Sequence, residues 1–279
     1  MTRANPENYL FGYSYMGGMP PASLEVLVIG KDGLAQYVAG HPWPKQPPFD
    51  EIGIYQRQLS KDELAGLMAT VVTTRSSAAP GQVEVLPADS AMETFFAPQT
   101  DGVWRASWDP LEPPAGLVEV VHSLRSLIAD LRARPLSSIR AGLVRPKVGS
   151  GLSEIRLKLS NRGERPFAFH GFGAATNQPA ELRLQFCGPE ELALSNSRSP
   201  IQLFRSKPFP GVASTPAGMV LVGPGEELVI AMEDEGGFLR SHDRQPGKLF
   251  GLLRVSWKVE GFEDYVEEGW LMPEPVELS

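Results

Sequence analysis

The sequence predicts an α+β domain over residues 1–146, an antiparallel sheet with two helices, followed by an all-β sandwich over residues 147–279. Three observations carry this. Ile155, Leu157 and Leu159 alternate with Glu154, Arg156 and Lys158 before Asn161-Arg162-Gly163, the pattern of a half-buried strand entering a turn. The same period of two recurs at Leu182, Leu184 and Phe186, and at Leu253, Val255, Trp257 and Val259. Helical periodicity, in contrast, is confined to two stretches of the first half.

In chain order, residues 9–16 form an aromatic, strand-prone run closed by Gly17-Gly18-Met19-Pro20-Pro21. Residues 24–29 form a second strand that turns at Gly30-Lys31-Asp32-Gly33 into residues 34–39, so the domain opens as a meander. A Pro-rich loop over 41–48 leads to a strand over 49–59. Ser60-Lys61-Asp62-Glu63 then supplies a capping box, and Leu64, Leu67, Met68 and Val71 fall on one face of the helix it starts. Residues 82–86 and 103–108 read as short strands, with Phe95-Phe96 plugging the core. Pro113-Pro114 opens the longest helix, in which Leu117, Val120, Val121, Leu124, Leu127, Ile128 and Leu131 make an apolar stripe that stops before Pro135. The first domain thus reads as sheet first and helix last.

Val148-Gly149-Ser150-Gly151 marks the domain boundary, where the helical period ends. Further strands are expected at 219–222, 228–232 and 265–271, with a turn at Gly223-Pro224-Gly225. Two packed antiparallel sheets follow, and an immunoglobulin-like topology is the candidate, although the disulfide of immunoglobulin domains is absent because Cys187 is the sole cysteine. A lone Cys187 ending a strand reads as a buried, inert thiol.

Chemistry is harder to find. His41, His122, His170 and His242 belong to no ligand pair, so no metal is implied. Gly171-Phe172-Gly173 lacks the third glycine and the βαβ setting of a dinucleotide site, and Gly12-Tyr13-Ser14-Tyr15-Met16 has methionine where a nucleophile elbow needs glycine. The carboxylate pairs, such as Asp62-Glu63 and Glu226-Glu227, are explained by capping and turns. The sequence therefore nominates no catalytic residue and no cofactor. His170, at a strand end, is the best single imidazole for function.

Binding is the better-supported class. A net charge of −7 over 279 residues argues against nucleic acid. No signal peptide and no long apolar span are legible, so the expectation is a cytoplasmic protein with no membrane partner. Two acidic clusters, Glu233-Asp234-Glu235 and the stretch with Glu263, Asp264, Glu267 and Glu268, are candidates for contact with a basic partner, and Trp43, held between prolines, is a candidate anchor.

In this organisation of two modest domains with an acidic surface, the chain resembles the cytoplasmic immunity proteins that accompany bacterial toxin effectors. The resemblance spans the whole chain as an architecture and assigns no residue roles. It implies a protein that binds a cognate toxin and neutralises it by occluding the active or substrate-binding site, with the acidic clusters steering onto a basic cleft. The alternatives are an enzyme whose active site is assembled from dispersed residues in the inter-domain cleft, such as His170 or His242 with a distant carboxylate, and an assembly adaptor that pairs through a sheet edge.

Overall fold

The computed structural model describes residues 9–16, 24–39, 50–77, 91–99, 102–111, 113–144, 154–171, 180–187, 202–204, 219–233, 247–259, 267–273 and 275–278. These residues form mostly antiparallel β-sheet with two α-helices. The chain divides into two compact units, one of residues 1–45 and 53–136, the other of residues 46–52 and 137–279. Gly149, the expected boundary, lies outside the described residues.

In the first unit, β1 (Tyr9–Met16), β2 (Leu24–Gly30), β3 (Leu34–Ala39) and β4 (Glu51–Gln58) pair in sequence as a meander. The turn between β2 and β3 is closed by the Gly33 N–H donating to the Gly30 carbonyl, and Gly33 adopts φ +82°, a conformation that a side chain would strain. The far edge of β1 takes β5 (Met92–Gln99), which pairs with β6 (Gly102–Trp108). Phe95 and Phe96 are thus neighbours in a strand and point to opposite faces, so only one of them fills the core. Phe95 is fully buried against Phe11 and Trp104, whereas Phe96 lies on the other face over Gly12, where a Cβ would collide with its ring. The strand expected at 82–86 lies outside the described residues.

One face of this sheet is covered by α1 (Lys61–Ser77) and α2 (Val118–Arg132). The capping box is present: the Glu63 N–H donates to Ser60 Oγ at 3.2 Å, and the Ser60 N–H donates to Glu63 Oε2 at 2.8 Å. The Arg57 side chain and the Ser60 contacts lower the Glu63 pKa to about 2, so the reciprocal bond persists well below neutral pH. Leu64, Leu67, Met68 and Val71 pack against the core, as do Leu117 and the six α2 residues of the expected stripe. Pro113-Pro114 precedes a 3₁₀ turn, Ala115–Leu117, and α2 itself has 15 residues against 17 in α1, so α1 is the longer helix. Nor does the first half end on a helix. After α2 the chain enters β7 (Pro135–Val144), hidden in the sequence because Ser137 and Ser138 are buried where alternation calls for one apolar and one exposed residue.

In the second unit, β7 pairs with β8 (Glu154–Asn161), and β8 with β13 (Glu227–Glu233). The other sheet runs β11 (Gln202–Phe204), β10 (Glu181–Cys187), β14 (Gly247–Val259), β9 (Phe167–His170), β12 (Met219–Val222), with β15 (Glu267–Leu271) and β16 (Val276–Leu278) also paired to β14. A Cβ on Gly251 of β14 would meet Leu143 of β7, and Phe167 stacks on Trp257 with ring centroids 5.2 Å apart. Two antiparallel sheets in contact over apolar faces are compatible with a sandwich.

Truncation tests both cores. Leu124→Ala and Trp257→Ala are each expected to lower the free energy of unfolding by about 2 to 5 kcal/mol, because both side chains are fully buried and leave cavities. Guanidinium titration reads this directly, and an unchanged midpoint in either variant contradicts the packing described.

Candidate functional site

Register sets the outward face of the β7–β8–β13 sheet. Arg140, Ser160 and Glu227 form one cross-strand row; Gly142, Lys158 and Val229 form the next; Val144, Arg156 and Ala231 form the third. The alternate residues, among them Ala141, Leu143, Leu157, Leu159 and Ile230, point inward. In the middle row Gly142 leaves open space, since a Cβ there would meet no neighbour. A groove of about 400 Å³ results, lined by Asp50, Arg140, Gly142, Lys158, Ser160, Arg162 and Glu227 among others.

The charges of this groove are held in two ways. Arg140 donates from Nε to Asp50 at 2.5 Å, and Arg162 donates from Nη1 to Glu51 at 2.7 Å. Both carboxylates are buried, at 7% and 2% exposure, while both guanidinium side chains remain 42% exposed. Removing either arginine would leave a buried charge without its partner, so these cations are fixed in place. Lys158 instead pairs with Glu227 at 2.6 Å in the open, where an ion pair is worth little.

Asn161, 2% exposed, positions the rim. Its amide donates to the Arg165 and Val222 carbonyls at 2.8 and 2.9 Å, and its Oδ1 accepts from the Gly163 N–H at 2.8 Å. Its backbone pairs with Glu226 and Gly225 in the turn that leads into β13. That turn carries Pro224 followed by Gly225 at φ +70°, the residues and conformation of a type II turn. Asn161 therefore braces the turn that carries Arg162 through its side chain and the strand bearing Glu227 through its backbone.

A second polar cluster is buried in the first unit. Ala39, Glu25, Tyr15, Glu93 and Trp108 form a single row across five strands, placing two carboxylates on either side of Tyr15. Their Cα atoms are about 10 Å apart, twice the strand spacing. Glu93 accepts from Arg125 with both oxygens, at 2.7 and 2.8 Å, and from Trp108 Nε1 at 2.8 Å. Glu25 accepts from Tyr37 Oη at 2.5 Å, and its other oxygen has no hydrogen-bond partner among the described residues. Burial raises the Glu25 pKa and Glu93 adds to the effect, against the opposing pull of Tyr37 and Arg132. Burial likewise raises Tyr15, with contributions from Glu25 and Glu93.

The residues nominated by sequence do not come together in one described site. Glu233 ends β13 opposite Glu154, while Glu267 and Glu268 lie on β15 of the other sheet opposite Trp257 and Ser256. Trp43, Asp234, Glu235, Glu263, Asp264 and His242 lie outside the described residues. His170 ends β9 half-buried, and its Nδ1 has no hydrogen-bond partner among the described residues. His122 is exposed on α2, and Cys187 is buried. Among the described residues no group of three or more His, Cys, Asp or Glu is placed to hold a metal ion, and no helix is long and apolar enough to cross a membrane. Sequence reasoning missed the β7–β8–β13 face because β7 was not recognised; the signal was present in the outward residues of β8.

No family model matches the chain, and no curated protein matches it. Among solved structures, an MHC-like protein, MILL2, is 14% identical with 90% of this chain and 99% of that chain covered, at a TM-score of 0.15, too low to carry fold or function across.

The Glu25 environment has a measurable consequence. A carboxyl whose folded-state pKa is raised binds its proton more tightly folded than unfolded, so stability is fullest below the ordinary carboxylate pKa and is lost as pH rises through the folded value. Glu25→Gln keeps an acceptor for Tyr37 and removes the titration. Urea unfolding of the variant is expected to show a flatter decline from pH 4 upward and a gain over the parent at the upper end; parallel profiles contradict the assignment.

Proposed function

We propose that the protein acts by binding a protein partner noncovalently, in the manner of the cytoplasmic immunity proteins it resembles, and neutralises a bacterial toxin effector by covering its active or substrate-binding site. The observation that supports the reading is the preorganised charge on the β7–β8–β13 face. Arg140 and Arg162 are fixed by buried carboxylates yet stay 42% exposed, so a partner meets them at low cost in side-chain ordering. The acidic clusters named from the sequence are not needed for this.

An immunoglobulin-like sandwich in the second unit belongs to the same proposal. Taking β7, β8, β9, β12, β13, β14 and β15 as strands A, B, C, C′, E, F and G, the pairings β7–β8–β13 and β12–β9–β14–β15 follow the A-B-E and C′-C-F-G neighbours of that fold, with β10 and β11 additional. Such sandwiches serve many binding roles, so the fold supports the reading by analogy alone.

The test is co-expression with the protein encoded by the neighbouring reading frame. A stoichiometric complex by light scattering, together with protection of cells from that protein, is the expected result. No complex and no protection overturns the reading. An enzymatic alternative is favoured by one observation, the Glu25–Tyr15–Glu93 row, since carboxyls in unlike environments are what acid–base chemistry uses. Glu25→Gln separates the two: the enzyme reading requires protection to be lost in a folded variant, and the binding reading requires it to be kept.

A further inference from the structure

We infer that the Glu25 side chain is a proton-operated latch on the last turn of α2: while neutral it leaves Arg132 on the ring of Tyr37, and once ionised it draws that guanidinium to the oxygen that Tyr37 does not occupy. Glu25 is 6% exposed. Tyr37 Oη donates to its Oε2 at 2.5 Å, and Oε1 has no hydrogen-bond partner among the described residues. The Arg132 guanidinium lies over the face of the same tyrosine, 5.8 Å from the ring centroid, and is near enough to act on the carboxyl electrostatically. One ring thus touches the acid through its hydroxyl and the cation through its face. The inference does not depend on what the protein binds.

The arrangement is that of a neutral carboxyl. A buried carboxylate needs its oxygens bonded and its charge offset, and a single phenol hydroxyl supplies one hydrogen bond and no charge. Glu93, beyond Tyr15 in the same row, has both: Arg125 donates to both its oxygens and Trp108 Nε1 to one of them. Burial holds the Glu25 proton above the ordinary carboxylate range, and Glu93 adds to this against Tyr37 and Arg132. As pH rises through the folded value the carboxyl ionises, and a buried charge attracts a guanidinium more strongly than a ring face does.

Among the described residues, the titratable and charged groups that face Glu25 are Tyr15 of β1, Tyr37 of β3, Glu93 of β5 and Arg132 of α2. Tyr55 of β4 stands behind Tyr37, with ring centroids 5.7 Å apart, and Tyr13 and Arg125 surround Glu93. Tyr15 lies opposite Glu25 in register and can supply a hydrogen bond but no positive charge. Arg125 already serves Glu93. Arg132 is therefore the responding group, and its place gives the response a structural readout. It ends α2, where the Ala133 and Arg134 N–H groups donate back to the Asp130 and Leu131 carbonyls at 3.3 and 3.0 Å before β7 begins at Pro135.

The test is nuclear magnetic resonance of the full chain titrated from about pH 4 to about pH 9, following the Glu25 carboxyl carbon, the Arg132 Nε–H and the amides of residues 130–134. All are expected to change together, with one midpoint above the ordinary carboxylate value. In Glu25→Gln the Arg132 response is expected to be lost. Arg132→Met is expected to move the Glu25 midpoint upward, because an offsetting cation is gone, and Tyr15→Phe to keep the Arg132 response. The parent alone can overturn the inference, by an Arg132 Nε–H that stays flat while Glu25 titrates or by a Glu25 carboxyl that keeps one ionisation state across the range. An Arg132 response that survives Glu25→Gln, or that disappears in Tyr15→Phe, overturns it as well.

Discussion

The second unit depends on what the Asn161 side chain holds together. Its amide satisfies carbonyls of Arg165 and Val222, and its oxygen caps the Gly163 N–H, in a site closed to water. Buried polar groups of this kind cost little while every partner is present and a great deal once one is lost. Val222 ends β12 in one sheet and Asn161 ends β8 in the other, so a single residue ties the two sheets at one end of the unit. Arg162 is the next residue in the chain, and the turn leading to Glu227 is hydrogen-bonded to the Asn161 backbone. The geometry of the outward face is therefore set from inside the fold.

The two units treat buried charge differently. In the second, Asp50 and Glu51 are buried so that exposed guanidiniums are held still, and the energetic consequence appears at the surface. In the first, buried Glu93 accepts from Trp108 of the core and from Arg125, whose side chain is 27% exposed. Glu25 is the unbalanced member, with one oxygen bonded to Tyr37 and the other without a partner among the described residues. Burial without full compensation is the physical cause of its raised pKa. It makes stability of the first unit dependent on pH through this one carboxyl.

Much of the fold was legible where a period was clean. The capping box at Ser60 and Glu63, both apolar helix faces, the meander of β1 to β4 and the alternation of β8 are all present as read. The strands β5 and β7 were not legible. Phe95-Phe96 breaks alternation because the sheet is covered on one face while Phe96 packs over Gly12 on the other, and Ser137-Ser138 breaks it because both are buried. The candidate site was legible only in halves. Glu154, Arg156 and Lys158 were visible as the polar side of β8, but a groove needs the cross-strand neighbours Arg140, Gly142 and Glu227, and register is a property of the fold that no local pattern contains. Glu233 and Glu267-Glu268, legible as members of two acidic clusters, lie on different sheets.

The most direct measurement of the central proposal, that recognition occurs on the β7–β8–β13 face, is an amide chemical-shift map of the full chain titrated with the protein encoded by the neighbouring reading frame. The account predicts that the amides of Arg140, Gly142, Lys158, Ser160 and Glu227 move together with a single affinity while those of the α2 stripe stay fixed. Shifts centred on Glu267 and Glu268 of β15, or on the Glu25–Tyr15–Glu93 row, with the β7–β8–β13 amides unmoved, would contradict it.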